Sequence, residues 1–165
     1  MSQAELIQHI PRLRRYARAL ARDAARADDL VQDTLERALA KLDLWRPDSD
    51  LRAWLFTLMH NLFVNQMRSP SNQPLCELDE ANDVPVSGGQ MEALVVRDIH
   101  AALAKLPPEQ REVMLLVGLE QFAYADAARI LGVPPGTVMS RLSRARERMR
   151  QMLEGQQVTK LQVVK

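Results

Sequence analysis

The chain has 165 residues, of which 47% are hydrophobic and 26% charged, with a net charge of +1. That is enough apolar material for one or two small cores, and it excludes a disordered or fibrous protein. One cysteine, Cys76, and three scattered histidines (His9, His60, His100) rule out an internal disulfide and offer no metal-ligand spacing. The gaps between charges fall short of the roughly 18 apolar residues of a membrane span. The N-terminus MSQAELIQHIPRLRR lacks a secretory apolar core, so the sequence predicts a cytoplasmic chain without membrane insertion or cofactor.

From Arg12 to Arg46 no proline or glycine interrupts the chain, and Leu13, Tyr16, Ala17, Leu20 and then Leu30, Val31, Leu35, Ala38, Leu42 recur at helical spacing. A break is expected between Arg22 and Asp28, with Asp28 or Asp29 capping the second helix. Another falls at Trp45 to Asp50, around Pro47. A third amphipathic helix covers Leu51 to Met67, with Trp54, Leu55, Leu58 and Leu62 on one side. Residues 71–92 hold Pro74, Pro85, Gly88 and Gly89, five acids and no Lys or Arg, the composition of a flexible acidic linker. Cys76 lies there with no basic neighbour in sequence to activate its thiol. Helices are then predicted over Met91 to Leu106, Glu109 to Glu120 after Pro107 and Pro108, Tyr124 to Leu131, and Gly136 to about Leu153. No strand pattern occurs. The expected fold is all-α: a helical domain over 1–70, a linker over 71–92, a second helical domain over 93–155 and a tail over 156–165. Each domain is near the lower size limit for independent folding.

The local charge balance is +2 over residues 1–70, −5 over 71–92 and +4 over 93–165. In the last block a short helix ending at Leu131, a turn at Gly132 and a second helix from Gly136 make a helix-turn-helix. Arg141, Arg144, Arg146, Arg148 and Arg150 crowd the second helix, while Val138, Leu142, Ala145 and Met149 form the stripe that holds it down. A basic helix alone is often only a solvated face. Preceded by this turn it points to DNA, because arginine both neutralises phosphate and pairs with guanine edges. On the helix from Asp28, by contrast, Asp28, Asp29, Gln32, Asp33 and Glu36 share a face opposite Val31, Leu35 and Ala38. That face is either an ordinary solvated one or a site for a basic protein partner, since it would repel phosphate.

The run LPPEQREVMLLVGLEQFAYADAARILGVPPGTVMSRLSRARERM resembles region 4 of the extracytoplasmic-function (ECF) sigma factors, the small σ70-type initiation factors of bacterial RNA polymerase. DDLVQDTLERAL is similar to their region 2.2 and LRAWLFTLMHNLFVNQMR to their region 2.4, in the family's order. The resemblance implies a chain that binds core polymerase through the β′ clamp and β flap, directs it to promoter DNA and is controlled by an anti-sigma factor. It implies that Asp28, Asp29, Gln32 and Asp33 meet the clamp coiled coil. It further implies that the loop after Trp45 and the following helix capture the unwound minus ten element through Arg46, Arg52, Asn61, Asn65 and Arg68. Thr137, Met139, Ser140, Arg141, Ser143, Arg144 and Arg148 would face the minus thirty-five element. Position 139 is often basic in the family, so Met139 replaces a charged contact with one suited to a thymine methyl. Ala123 stands where many members have a capping serine, and Asp126 offsets part of that loss through the helix dipole.

Trp54 lies on the apolar side and reads as core, whereas Trp45 is either a stacking platform or a lid on the first domain. His60 is either a surface histidine or a DNA contact. No nucleophile with its base, carboxylate pair, phosphate loop or metal cluster is found, so an enzyme is not expected. A sigma-like decoy for an anti-sigma factor would not need Arg141, Ser143 and Arg144 exposed. A stand-alone helix-turn-helix regulator would not need the acidic face.

Overall fold

The structure, a computed structural model, describes residues 2–68 and 89–163, with side chains as far as residue 155. Every regular element among them is helical. The first half holds α1 (Gln3–Gln8), α2 (Ile10–Ala21), α3 (Ala24–Ala40) and α4 (Leu51–Arg68), with a 3-10 turn at Leu42–Leu44. The second holds α5 (Gln90–Lys105), α6 (Pro108–Met114), α7 (Tyr124–Leu131) and α8 (Pro135–Val163). Cys76 and the expected linker up to residue 88 lie outside the described residues.

Local chemistry explains where the helices begin. The Ser2 hydroxyl accepts from Glu5 N at 3.3 Å while Ser2 N donates to Glu5 Oε2 at 2.8 Å, a capping box that starts α1. Helix α2 stops at Arg22, whose φ of 61° is left-handed. Asp23 follows in an extended conformation, and its Oδ1 accepts from Ala25 N at 2.9 Å. The cap expected at Asp28 or Asp29 is therefore at Asp23: one left-handed residue and one extended aspartate complete the break, and Asp28 and Asp29 sit inside α3. Asp50 caps α4 by accepting from Arg52 N and Ala53 N at 3.0 and 3.3 Å.

The single helix expected over Glu109 to Glu120 is α6 followed by a π turn at Leu115–Leu119. Glu120 N donates to Leu115 O at 2.9 Å and Phe122 N to Leu116 O at 3.0 Å, after which Gln121 turns left-handed at φ 59°. Such wide turns rotate the residues after them off the helix path. Here they carry Glu120 and Phe122 towards the first half of the chain.

At the end of α7, Gly132 has φ 67° and Val133 N reaches back to Ala128 O at 3.1 Å, the bond of a Schellman turn. A Cβ at Gly132 would meet no heavy atom within 4 Å, so only the backbone conformation opposes a side chain. Gly132→Ala is accordingly expected to lower stability by about 1 kcal/mol, measured by urea unfolding. Helix α8 runs to Val163 instead of ending near Leu153. Gly155 weakens helix propensity, but no proline follows to stop the helix.

The buried set includes Leu13, Tyr16, Leu20, Leu30, Leu55, Phe56 and Met59 in the first half, and Leu106, Val113, Leu116, Phe122, Ile130, Val138 and Leu142 in the second. These form one continuous cluster. The seam is aromatic: Tyr16 meets Phe56 edge-on at 4.9 Å between centroids, and Phe56 meets Phe122 edge-on at 5.3 Å. Such pairs add to burial when edge meets face. The described residues of the two helical parts thus share a core.

Candidate nucleic-acid interface

Helix α8 seats its apolar stripe as expected. Val138, Leu142 and Ala145 are fully or almost fully buried, with Met149 packed against the same core. That orientation turns Met139, Ser140, Ser143, Arg144, Arg146 and Arg148 outwards, while Thr137 is half-buried and accepts from the Ser140 hydroxyl through its carbonyl at 3.2 Å. Met139 is 51% exposed, a large apolar side chain held in water on the polar face. With Tyr124, Ser143 and Arg146 it lines a shallow groove between α7 and α8.

Not every arginine of the run faces outwards in the same way. Arg141 is half-buried and leans back 4.0 Å from Glu109 of α6. Arg150 is held between Glu147 at 2.6 Å and Glu154 at 2.9 Å. The hydrogen bond from Arg150 holds the Glu147 carboxyl below its ordinary range. Ala123 has no side-chain cap bond, and Asp126 in the first turn of α7 pairs with Arg129.

On α3, Asp28, Asp29, Gln32, Asp33 and Glu36 are all exposed, and Ala27, Leu30, Val31, Thr34 and Ala38 on the other side are buried. Gln32 Nε2 donates to Glu36 Oε1 at 3.3 Å along the acidic face. Asp29 also borders a cleft that Leu20, Phe63, Pro108 and Arg111 line from both halves of the chain.

On α4, Asn61, Asn65 and Arg68 are exposed at positions one and two turns apart, and Arg46 is exposed in the loop before it. Ser49 folds that loop by donating from its amide and its hydroxyl to Arg46 O at 3.0 and 2.7 Å. Trp54 and Trp45 are half-buried, Trp54 against the core. Arg52 is drawn away from this face. Its guanidinium carbon lies 3.9 Å from the Phe122 ring centroid, and it donates to Glu120 O at 3.1 Å.

His60 likewise turns to the second half of the chain, where its Nδ1 contacts Glu112 Oε2. Glu112 and Glu120 are buried, as is Arg111. Burial pulls the Arg111 guanidinium down to about 10, still charged at neutral pH, and pushes the neighbouring Tyr16 phenol well up, assisted by Glu112 and Glu120. None of these groups stands out as a site in the sequence. Their one signal is acid set into an apolar run, Glu112 to Glu120, where a buried charge demands a partner.

A family model described as the Sigma2 domain of PhyR matches residues 6–60, and one described as Sigma-70, region 4 matches residues 97–149. The ECF RNA polymerase sigma factor EcfG of Rhodopseudomonas palustris (strain TIE-1) is 42% identical over 150 residues, covering 90% of this chain and 83% of that protein. The chain belongs to the ECF sigma factors. The sigma factor RpoE of Bartonella quintana, solved in complex with the anti-sigma factor NepR, superposes with a TM-score of 0.76 at 39% identity over 92% of this chain and 96% of that one. CnrH, solved with the cytosolic domain of CnrY, gives 0.68 at 26% identity over 92% and 86%. As an ECF sigma factor the chain directs core RNA polymerase to promoters; α2, α3 and the first part of α4 fall within the region 2 match, and the end of α5, α6, α7 and the first half of α8 within the region 4 match. Among the described residues no helix is long and apolar enough to cross a membrane.

Proposed function

We propose that this ECF sigma factor reads its promoter with two faces and holds polymerase with a third. The outward side of α8, with Thr137, Met139, Ser140, Ser143, Arg144 and Arg148, takes the duplex minus thirty-five element, and Arg141 joins it by exchanging Glu109 for DNA. Asn61, Asn65, Arg68 and Arg46 take the unwound minus ten strand, with Arg52 joining once its contact with Phe122 and Glu120 is given up. Asp28, Asp29, Gln32 and Asp33 engage a basic surface of the β′ clamp, and the region 4 part engages the β flap. The observation that carries this reading is the two-sided α8: a fully buried apolar stripe behind an exposed row of serines, arginines and one methionine.

The chain supplies recognition and polymerase supplies the chemistry, so it acts in the cytoplasm without a catalytic site of its own. An anti-sigma factor is its expected inhibitor, in line with the complex in which its Bartonella quintana relative was solved.

Reconstituted run-off transcription with core polymerase across genomic fragments tests the function and identifies the promoter. On that promoter Arg144→Ala is expected to cost roughly 1–3 kcal/mol and to relax preference at one upstream position, because Arg144 lies nearer the start of α8, where base edges are reached. Arg148→Ala, a phosphate contact, should weaken all sequences evenly and reduce the salt slope by about one. Equal losses on every promoter would remove the base-reading role of Arg144.

A further inference from the structure

A cleft of about 140 Å³ opens where the end of α2, the first turns of α3, the end of α4 and the start of α6 meet. Among the described residues its lining holds three guanidiniums, those of Arg22, Arg26 and Arg111, and one carboxylate, that of Asp29. Phe63 and Met67 add an apolar wall, and Met67 is 45% exposed. Two of the cations are brought close together. Arg22 donates to Ala104 O at 2.6 Å and Arg111 to the same oxygen at 3.2 Å, so both guanidiniums converge on one carbonyl. Arg111 also donates to Leu103 O, Leu20 O and Leu106 O at 2.9, 2.9 and 2.7 Å, dipoles that hold a cation without cancelling its charge. Burial first, and then the charge of Arg22, lowers the Arg111 guanidinium, the mark of like charges held together. Arg22 also sits at φ 61°, a conformation that backbone preference alone would give to glycine.

We propose that this cleft binds a small organic phosphate, with the phosphate on Arg22 and Arg26 beside the buried charge of Arg111, and the apolar part of the ligand on Phe63 and Met67. The lining selects phosphate for two reasons. Guanidiniums meet phosphate oxygens through paired N–H donors in one plane, which a point charge cannot do. Three arginines against one aspartate also leave an excess of two positive charges, which a phosphate monoester matches and a simple carboxylate does not. Arg22 is exposed and Arg26 half-buried, so both are within a ligand's reach, whereas Arg111 is fixed by its four carbonyls. Arg26 is free to turn, because its pairing with Asp23 is long, 3.9 Å, and open to solvent. The cleft shares no residue with the faces assigned to promoter DNA and touches the proposed polymerase face only at Asp29.

The test titrates the full-length chain by calorimetry with inorganic phosphate and with phenyl phosphate, at fixed ionic strength and about pH 8, where phosphate monoesters carry close to two charges. Phenyl phosphate should bind once per chain and several-fold more tightly than inorganic phosphate, because only the ester reaches Phe63 and Met67. Arg26→Gln should weaken that binding roughly tenfold, and Asp29→Asn, which removes the opposing carboxylate, should tighten it several-fold. Both substitutions are at solvent-accessible positions, and circular dichroism should show parental helix content. Met67→Gln should abolish the preference for the ester and leave inorganic phosphate binding unchanged. The arginines of α8 are the competing seat, so Arg144→Ala/Arg148→Ala should bind phenyl phosphate as the parent does. Parental affinity in Arg26→Gln overturns the site, as does an Asp29→Asn chain that binds no more tightly or a loss confined to the α8 variant. Uptake that does not saturate and does not distinguish the two probes shows an adventitious ion only and overturns it equally. These readouts use neither promoter nor polymerase, so failure of the promoter-reading assignment leaves them intact.

Discussion

Replacing Phe122 with alanine is expected to lower the unfolding free energy by about 3 kcal/mol and the Tm by roughly 6–12 °C. Phe122 is 4% exposed, stacks edge-on against Phe56 and carries the Arg52 guanidinium on its face. The substitution removes the apolar burial, the aromatic pair and the platform for a cation, and leaves a cavity at the joint between α4 and the start of α7. Phe122→Leu keeps most of the volume and should cost less than about 1.5 kcal/mol. Thermal and urea unfolding followed by circular dichroism measure both variants. Because Phe122 belongs to a cluster that runs through both halves, the parent should unfold in one transition and Phe122→Ala should broaden or split it. A loss below about 1 kcal/mol with a single sharp transition would show that the aromatic seam does not couple the halves.

The second large effect concerns polymerase. Asp29→Lys/Asp33→Lys is expected to weaken association with core polymerase at least about tenfold, equivalent to about 1.4 kcal/mol, through like-charge contact with a basic surface. Both residues are exposed on α3 and face away from Leu30, Val31 and Ala38, so helix content and Tm should stay near the parental values. The defect should shrink as salt rises, since exposed charges are screened beyond a Debye length of about 10 Å at 0.1 M. Competition binding at two salt concentrations measures this. Undiminished binding by the double variant at low salt would remove the acidic face from the polymerase interface.

The second prediction depends on the side of a helix, and such sides were legible before any coordinates. The buried stripe Val138, Leu142, Ala145 and the exposed acids of α3 follow from the 3.6-residue period alone, because a helix that buries one stripe must expose the other. The turn at Gly132 was legible for a related reason: a left-handed residue is required between two tightly joined helices, and glycine meets that need without steric cost. The Ser2–Glu5 capping box was equally readable, and an expectation that began at the first apolar repeat passed over it. The break between α2 and α3 was placed in the right region but at the wrong cap, since Arg22 in a left-handed conformation has no sequence signature of its own. Its guanidinium donates to Ala104 O, 82 residues away in the chain.

That last contact marks where sequence reasoning stops. Composition, period and turn chemistry are local quantities, and they determined an all-α chain, its helix-turn-helix and the exposed sides of α3 and α8 that are proposed to meet polymerase and DNA. The closed arrangement depends on pairs far apart in sequence: His60 with Glu112, Arg15 with Glu120, Arg111 with Leu20, Phe56 with Phe122. No local pattern specifies such pairs, because each side chain alone is compatible with a solvated position. Only when the π turn after α6 aims Glu120 and Phe122 at α2 and α4 do burial and charge become complementary. Tertiary structure therefore decided that two small domains share one core, and that Arg52 and His60, both on the helix expected to read DNA, face the protein's own second half instead.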